Sequence, residues 1–304
     1  MSKENYYSSS LKRRKTLREL SAKNSSLYSL SKKIHLAYCK ISYPLHILPN
    51  FLIIGTPKSA TTALFQYLLQ HPSIFPPLTK QIHFFDRYYD RGIPWYKICF
   101  PYRWQKFTRQ KISKGNFVTG EATVHYMLHP LAPKRIAKIL PNVKLIVMLR
   151  NPIDRAYSHY QMEYTNKNEV LLFEEALKTE PEWSRVEFEK MANDENYDSL
   201  KYPHRAYLST GYYAQHLKRW FEYFPRNQFL IINNEEFLSD ISKGYNQVLS
   251  FLDLENFDLP EYKKIHGRKY EKMKIETREK LIEHYKPYNK ELYDLLGKNF
   301  GWDR

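Results

Sequence analysis

Short apolar runs bounded by turn residues alternate along this chain with segments whose apolar positions recur at helical spacing. The runs predict strands at Phe51–Gly55, Phe117–Glu121, Lys144–Leu149 and Gln228–Asn233. The helical pattern predicts helices at Thr61–Gln70, Leu131–Leu140, Ile153–Thr165, Tyr212–Phe224, Gly244–Leu252 and Glu276–Leu296. Such alternation implies an α/β fold, a three-layer arrangement with a mostly parallel central sheet flanked by helices. The stretch Glu169–Pro203 is polar, acidic in its middle and rich in aromatics, and reads as an insertion or loop region over the sheet. No internal repeat is visible, so one catalytic domain is expected over residues 48–304, after a leader of residues 1–47.

The junction of the first strand and helix carries the strongest chemical signal. Phe51–Ile54 meets Gly55 and opens into Lys58-Ser59-Ala60-Thr61-Thr62 before the helix begins. Backbone N–H groups at a helix start are unpaired and partly positive, so this turn suits phosphate or sulfate. Lys58 adds a full charge, and Ser59, Thr61 and Thr62 add hydroxyls. The spacing is not that of an ATP-binding Walker A loop, in which the Lys follows the last Gly; here Ala60 stands where a second Gly is usual. A solvent-exposed turn lysine is the bland alternative.

A second segment, Lys144 to Tyr160, again runs from a buried-type strand to a basic residue. Arg150 sits where the strand emerges, Asn151-Pro152 break it, and Ser158 follows one to two turns into the next helix. Ligands of open α/β sheets bind at the carboxyl ends of strands, so Arg150 and Lys58 should share one edge. A guanidinium fork suits a terminal phosphate. Arg155 reads as a surface or salt-bridging residue.

Composition narrows the setting. Net charge is +16, and residues 1–50 hold ten Lys or Arg against two acidic residues. This Ser-rich leader reads as solvated and flexible, with an anionic membrane surface as its sharper alternative. No apolar run approaches the ~18 residues of a membrane span, and the N-terminus lacks a secretory pattern. Cys39 and Cys99 belong to no CxxC pair. No disulfide framework is expected, and a cytoplasmic, optionally membrane-peripheral, location is the default.

With both motifs in view, the chain resembles the sulfotransferases that use 3′-phosphoadenosine 5′-phosphosulfate (PAPS). PKSATTAL is similar to their 5′-phosphosulfate loop and RNPIDRAYSHY to their 3′-phosphate motif. LTKQIHFFD resembles the K-E-x-H-F-F segment of the branch containing heparan sulfate 3-O-sulfotransferases and bacterial carbohydrate sulfotransferases. The likeness continues through Gly120-Glu121-Ala122-Thr123, GYYAQHLKRWFEYFP and the tail, covering roughly residues 50–302.

The resemblance implies a P-loop-like fold and sulfuryl transfer from PAPS to a hydroxyl or amine of a carbohydrate or glycolipid, with adenosine 3′,5′-bisphosphate (PAP) as product. It implies that Lys58 contacts the bridging and sulfate oxygens while Ser59, Ala60, Thr61 and Thr62 cradle the 5′-phosphate. Arg150 and Ser158 would bind the 3′-phosphate, and His266, Gly267, Arg268, Lys269 and Tyr270 match a late cofactor loop. Asp86 and Phe84 are expected toward the acceptor. No nucleic-acid partner is expected. Nor is a metal, since sulfuryl transfer needs in-line positioning and cationic donors, and no His, Cys, Asp or Glu set shows ligand spacing.

Two departures matter. Related enzymes carry a Glu base where this chain has Gln81, and an amide cannot accept that proton. His83, poised by Asp86, is the favoured substitute, with Glu121 or an acceptor needing little base help as alternatives. Ala122 and Val124 replace a Lys and a Pro of the heparan sulfate enzymes, so a sulfated polymer acceptor is not implied. The competing readings are a nucleotide-binding pseudoenzyme that keeps the donor site, and a P-loop kinase.

Overall fold

The computed structural model describes residues 37–105, 116–199, 201–259 and 270–303. Within them the chain runs β1 (Phe51–Gly55), α1 (Thr61–Leu68), β2 (Ile74–Phe75), α2 (Gly92–Lys97), β3 (Val118–Glu121), α3 (Ala132–Ile139) and β4 (Lys144–Leu149). It continues through α4 (Pro152–Thr165), α5 (Phe173–Asn193), α6 (Tyr202–Arg205), α7 (Tyr213–Phe221), β5 (Phe229–Asn233), α8 (Asn234–Ser239), α9 (Ile241–Phe251) and α10 (Ile275–Leu296).

The sheet order is β2-β3-β1-β4-β5, and every pairing is parallel. Strand side chains alternate between faces, and both faces are buried here. Leu52 and Ile54 of β1 join Leu145, Val147 and Leu149 of β4 in a core beneath α3, α7 and α10. Phe51, Ile53, Ile146 and Met148 point the other way, against α1 and α9. Three layers result. Chain order reverses about β1, whose neighbours β3 and β4 lead to opposite edges, so a crevice opens at the carboxyl ends of β1 and β4. Close approach of β1 and β3 requires Gly120, since a Cβ there would lie 2.4 Å from the Phe51 carbonyl oxygen.

Two expectations are corrected. Residues 173–193 form a helix of 21 residues rather than a loop. Its buried positions include Glu180 and Ser184, which break up the apolar stripe that would have signalled it. Glu180 is held by the Leu208 and Ser209 backbone N–H groups at 2.6 and 2.8 Å. Residues 37–47, grouped with the leader by composition, pack on the domain: Cys39 and His46 are buried, and His46 Nδ1 lies 2.6 Å from the Phe100 carbonyl oxygen. The first 36 positions of the leader lie outside the described residues. Cys39 and Cys99 are buried and form no disulfide. Among the described residues no helix is long and apolar enough to cross a membrane.

Candidate active site

The loop after β1 is braced from within. Thr56 donates its backbone N–H to the Met148 carbonyl at 2.8 Å, and its hydroxyl lies 2.7 Å from that of Ser59. Ser59 is fully buried, so its hydroxyl supports the loop instead of facing a ligand. Lys58 and Ala60 take left-handed backbone angles, φ 70° and 56°. Glycine would adopt the backbone of position 60 without the penalty that Ala60 carries. No side chain caps α1, which leaves its first N–H groups open toward the crevice.

At β4, Arg150 donates from Nη1 to the Lys58 carbonyl oxygen at 3.1 Å. Its own carbonyl accepts from the Tyr213 hydroxyl at 2.7 Å. Asn151 caps α4 through Ile153 N–H, with Pro152 in the first turn, so the helix starts directly after the arginine. Ser158 lies two turns on.

These elements enclose one cleft of about 1110 Å³, lined by Lys58, Ala60, Thr61, Thr62, Gln81, Arg150, Ser158 and Tyr270 among others. Eight of the residues singled out from sequence thus converge. His266, Gly267, Arg268 and Lys269 lie outside the described residues. Arg155 is corrected: it is fully buried and donates to the Tyr207 carbonyl oxygen.

Acceptor-side expectations divide. His83 Nδ1 lies 2.8 Å from Asp86 Oδ2, as a poised base requires. Burial works to raise the Asp86 pKa, but the His83 hydrogen bond and charge pull it below the usual value. His83 has φ 57°, a strained position of the kind that collects at functional sites.

Glu121 is corrected. It is fully buried, and Oε1 accepts from the Tyr96 and Tyr126 hydroxyls at 2.9 Å each. Oε2 accepts from Thr123 Oγ1 at 2.6 Å and Ile82 N–H at 3.1 Å. Burial nevertheless pushes its pKa up. The carboxylate cannot reach an acceptor; it clamps the irregular segment leading into His83, whose own N–H bonds Thr123 Oγ1 at 3.3 Å. Phe84 is corrected too: it is a fully buried core ring stacked on Tyr96 at 4.5 Å, not a sugar platform.

The cleft wall also holds His125, which sequence reasoning missed, and Lys80, the lysine of the LTKQIHFFD segment, to which it gave no role. The His125 ring lies 5.5 Å from that of His83, and its Nδ1 is buried without a hydrogen-bond partner. Burial, chiefly, drops its pKa to about 3, so it stays neutral. Contrary to the spacing argument, His83, Asp86 and His125 have ligand-capable atoms within 4.8 Å of one another. They come from two segments, so no sequence motif announced them.

The sulfotransferase domain family matches residues 48–286. Mouse (Mus musculus) heparan sulfate glucosamine 3-O-sulfotransferase 6 is 30% identical over 285 residues, 84% of this chain and 74% of that protein. Human (Homo sapiens) bifunctional heparan sulfate N-deacetylase/N-sulfotransferase 3 is 32% identical over 290 residues, 83% of this chain but 30% of that protein. The crystal structure of a sulfotransferase from Alicyclobacillus acidocaldarius superposes with a TM-score of 0.64 at 30% identity, covering 85% of this chain and 100% of the other. The family match over residues 48–286, relatives at 30% identity and the shared fold lead to one conclusion: the chain belongs to the sulfotransferase family and is a sulfotransferase.

Proposed function

We propose that this enzyme transfers a sulfuryl group from PAPS to a carbohydrate hydroxyl, a glycolipid headgroup included, and releases PAP. The observation that carries this reading is the union of Lys58, the open N-terminus of α1, Arg150 and Ser158 in a single cleft. Lys58 and the helix start offer donors for a phosphosulfate, and the Arg150 guanidinium and Ser158 hydroxyl offer donors for a second phosphate. The relatives' names, which specify glucosamine in heparan sulfate, support the acceptor class.

In this scheme the acceptor oxygen attacks sulfur in line, and the bond from sulfur to the 5′-phosphate oxygen breaks. Lys58 meets the charge growing on that leaving oxygen, a preorganised electrostatic role. The acceptor proton passes to His83, whose Nδ1 is held by Asp86, leaving Nε2 to receive it. Gln81 and neutral His125, both on the wall, orient the hydroxyl. We place the enzyme in the cytoplasm, where Cys39 and Cys99, buried and in no disulfide, stay reduced, and assign the charge of its basic leader to an anionic membrane surface.

Thermal shift with PAP, ATP and AMP tests the donor assignment. PAP should raise the melting temperature well above either alternative; equal shifts would sink it. Radiolabelled sulfate transfer from PAPS across glycans, glycolipids and phenols tests the acceptor class, and transfer to phenols alone would reject a carbohydrate.

A further inference from the structure

Lys80 is a charged cleft residue with no assigned task. Its carbonyl oxygen accepts from the Ala122 N–H at 2.8 Å, which pins it beside the end of β3. Its side chain shares the cleft with Lys58, Thr61 and Thr62, and Nζ donates to Thr62 Oγ1 at 2.6 Å. Thr62 belongs to the first turn of α1, the helix whose opening N–H groups are uncapped. A second ammonium therefore stands at the same helix terminus as the Lys58 loop.

The environment of Lys80 is costly for a cation. Burial pushes its pKa down to about 8, and among the described residues no carboxylate pairs with it to offset that. Half-buried charges persist where an opposite charge arrives to complete them. The polar neighbour it has, a threonine hydroxyl, is a donor as well as an acceptor and is readily exchanged for a stronger anionic acceptor.

We propose that Lys80 is a second cationic ligand of the donor, turning from Thr62 onto the 5′-phosphosulfate oxygens when the nucleotide binds. The inference rests on the PAPS reading above and extends it. Two ammonium groups then share the negative charge that grows on the leaving phosphate oxygen. Better leaving-group stabilisation lowers the demand on a base, which suits a site where Gln81 replaces a carboxylate.

The arrangement couples binding to a proton. A lysine titrating near pH 8 when free becomes fully charged beside a phosphate, so nucleotide binding takes up a proton around that pH. The other titratable groups facing the cleft are Lys58, Tyr67, Arg150, His125, His159, Glu163, His204 and Tyr270. Burial holds His125 and His159 neutral. Burial works to raise Glu163, but hydrogen bonds from His204 and Asn168 keep it low. Subtracting a Lys80 variant removes whatever the rest contribute.

The test is calorimetric titration of the full-length protein with PAP at pH 8, in two buffers of different ionisation enthalpy. Wild type should take up about half a proton per PAP bound. Lys80→Met should abolish that uptake and weaken PAP about 10–100-fold, the range of a lost charge-assisted hydrogen bond. Lys80→Arg should keep affinity without the uptake. Wild-type binding with no uptake, or a Met variant with wild-type affinity and uptake, overturns the inference. If wild type does not bind PAP, the donor reading itself falls and takes this inference with it.

Discussion

Arg150 bonds the carbonyl oxygen of Lys58 at 3.1 Å, joining the arginine of one motif to the backbone of the other across 92 residues. One guanidinium thereby supports the phosphosulfate loop while keeping donors free for a ligand. Removing it should loosen both ends of the nucleotide at once.

Arg150→Ala is therefore expected to weaken PAP by ~100-fold or more, beyond the loss of one charged hydrogen bond. Arg150→Lys should recover part of that, since an ammonium keeps charge but loses the fork. Calorimetric titration checks both. A loss under about threefold in the Ala variant would show that the arginine does not face the nucleotide.

His83→Ala is expected to lower kcat by about 10²-fold with PAP affinity unchanged, the signature of a lost base. Gln81→Glu should raise kcat in that background by supplying a carboxylate on the cleft wall. Full activity of His83→Ala alone would instead assign the proton elsewhere.

The Asp86–His83 pair also predicts a pH effect on stability. Asp86 titrates below its usual value in the fold, so the pair contributes stability above the ordinary aspartate range. That contribution is lost as pH falls below about 4 and the carboxylate protonates. Urea unfolding of wild type should weaken more steeply over this acid range than unfolding of Asp86→Asn. Parallel pH profiles would remove Asp86 from the account.

Glu121→Gln tests the clamp. The carboxylate accepts from Tyr96, Tyr126, Thr123 and Ile82, and an amide N–H₂ would face two of these donors. A destabilisation of about 2–4 kcal/mol is expected by denaturant titration, from buried groups left unsatisfied. Transfer activity of the folded variant should fall through misplacement of His83. A neutral effect on stability would return Glu121 to the role of alternative base that sequence suggested.

Ala60→Gly should raise stability by up to about 1 kcal/mol, because position 60 is held at φ 56°. Chemical denaturation measures it. A loss of stability would mean that the Ala methyl packs better than its backbone angle costs.

Local signals carried much of this fold. β4 occupies the residues predicted for it, and β1 does likewise, because an apolar run ended by Gly or Asn-Pro needs no distant information. The donor loop was legible for the same reason: a strand, a lysine-bearing turn and a helix start are contiguous. Helix α5 was not legible, because its buried face contains Glu180 and Ser184, acceptable only where Leu208 and Ser209 bond the carboxylate.

The amino-acid sequence by itself determined four of the strands and six of the helices, their parallel α/β arrangement and an anion-binding loop with its lysine, since periodicity and turn chemistry act over a few residues. Only the tertiary structure decided what each polar side chain does. Glu121 became a buried clamp, Ser59 a brace, Phe84 core and Arg155 an interior residue, while His125 and Lys80 came to the cleft wall. The physical reason is that burial and hydrogen-bond partners are properties of what folds against a residue, and decisive partners such as Tyr96 and Ile82 for Glu121, or Tyr207 for Arg155, lie tens of residues away in the chain.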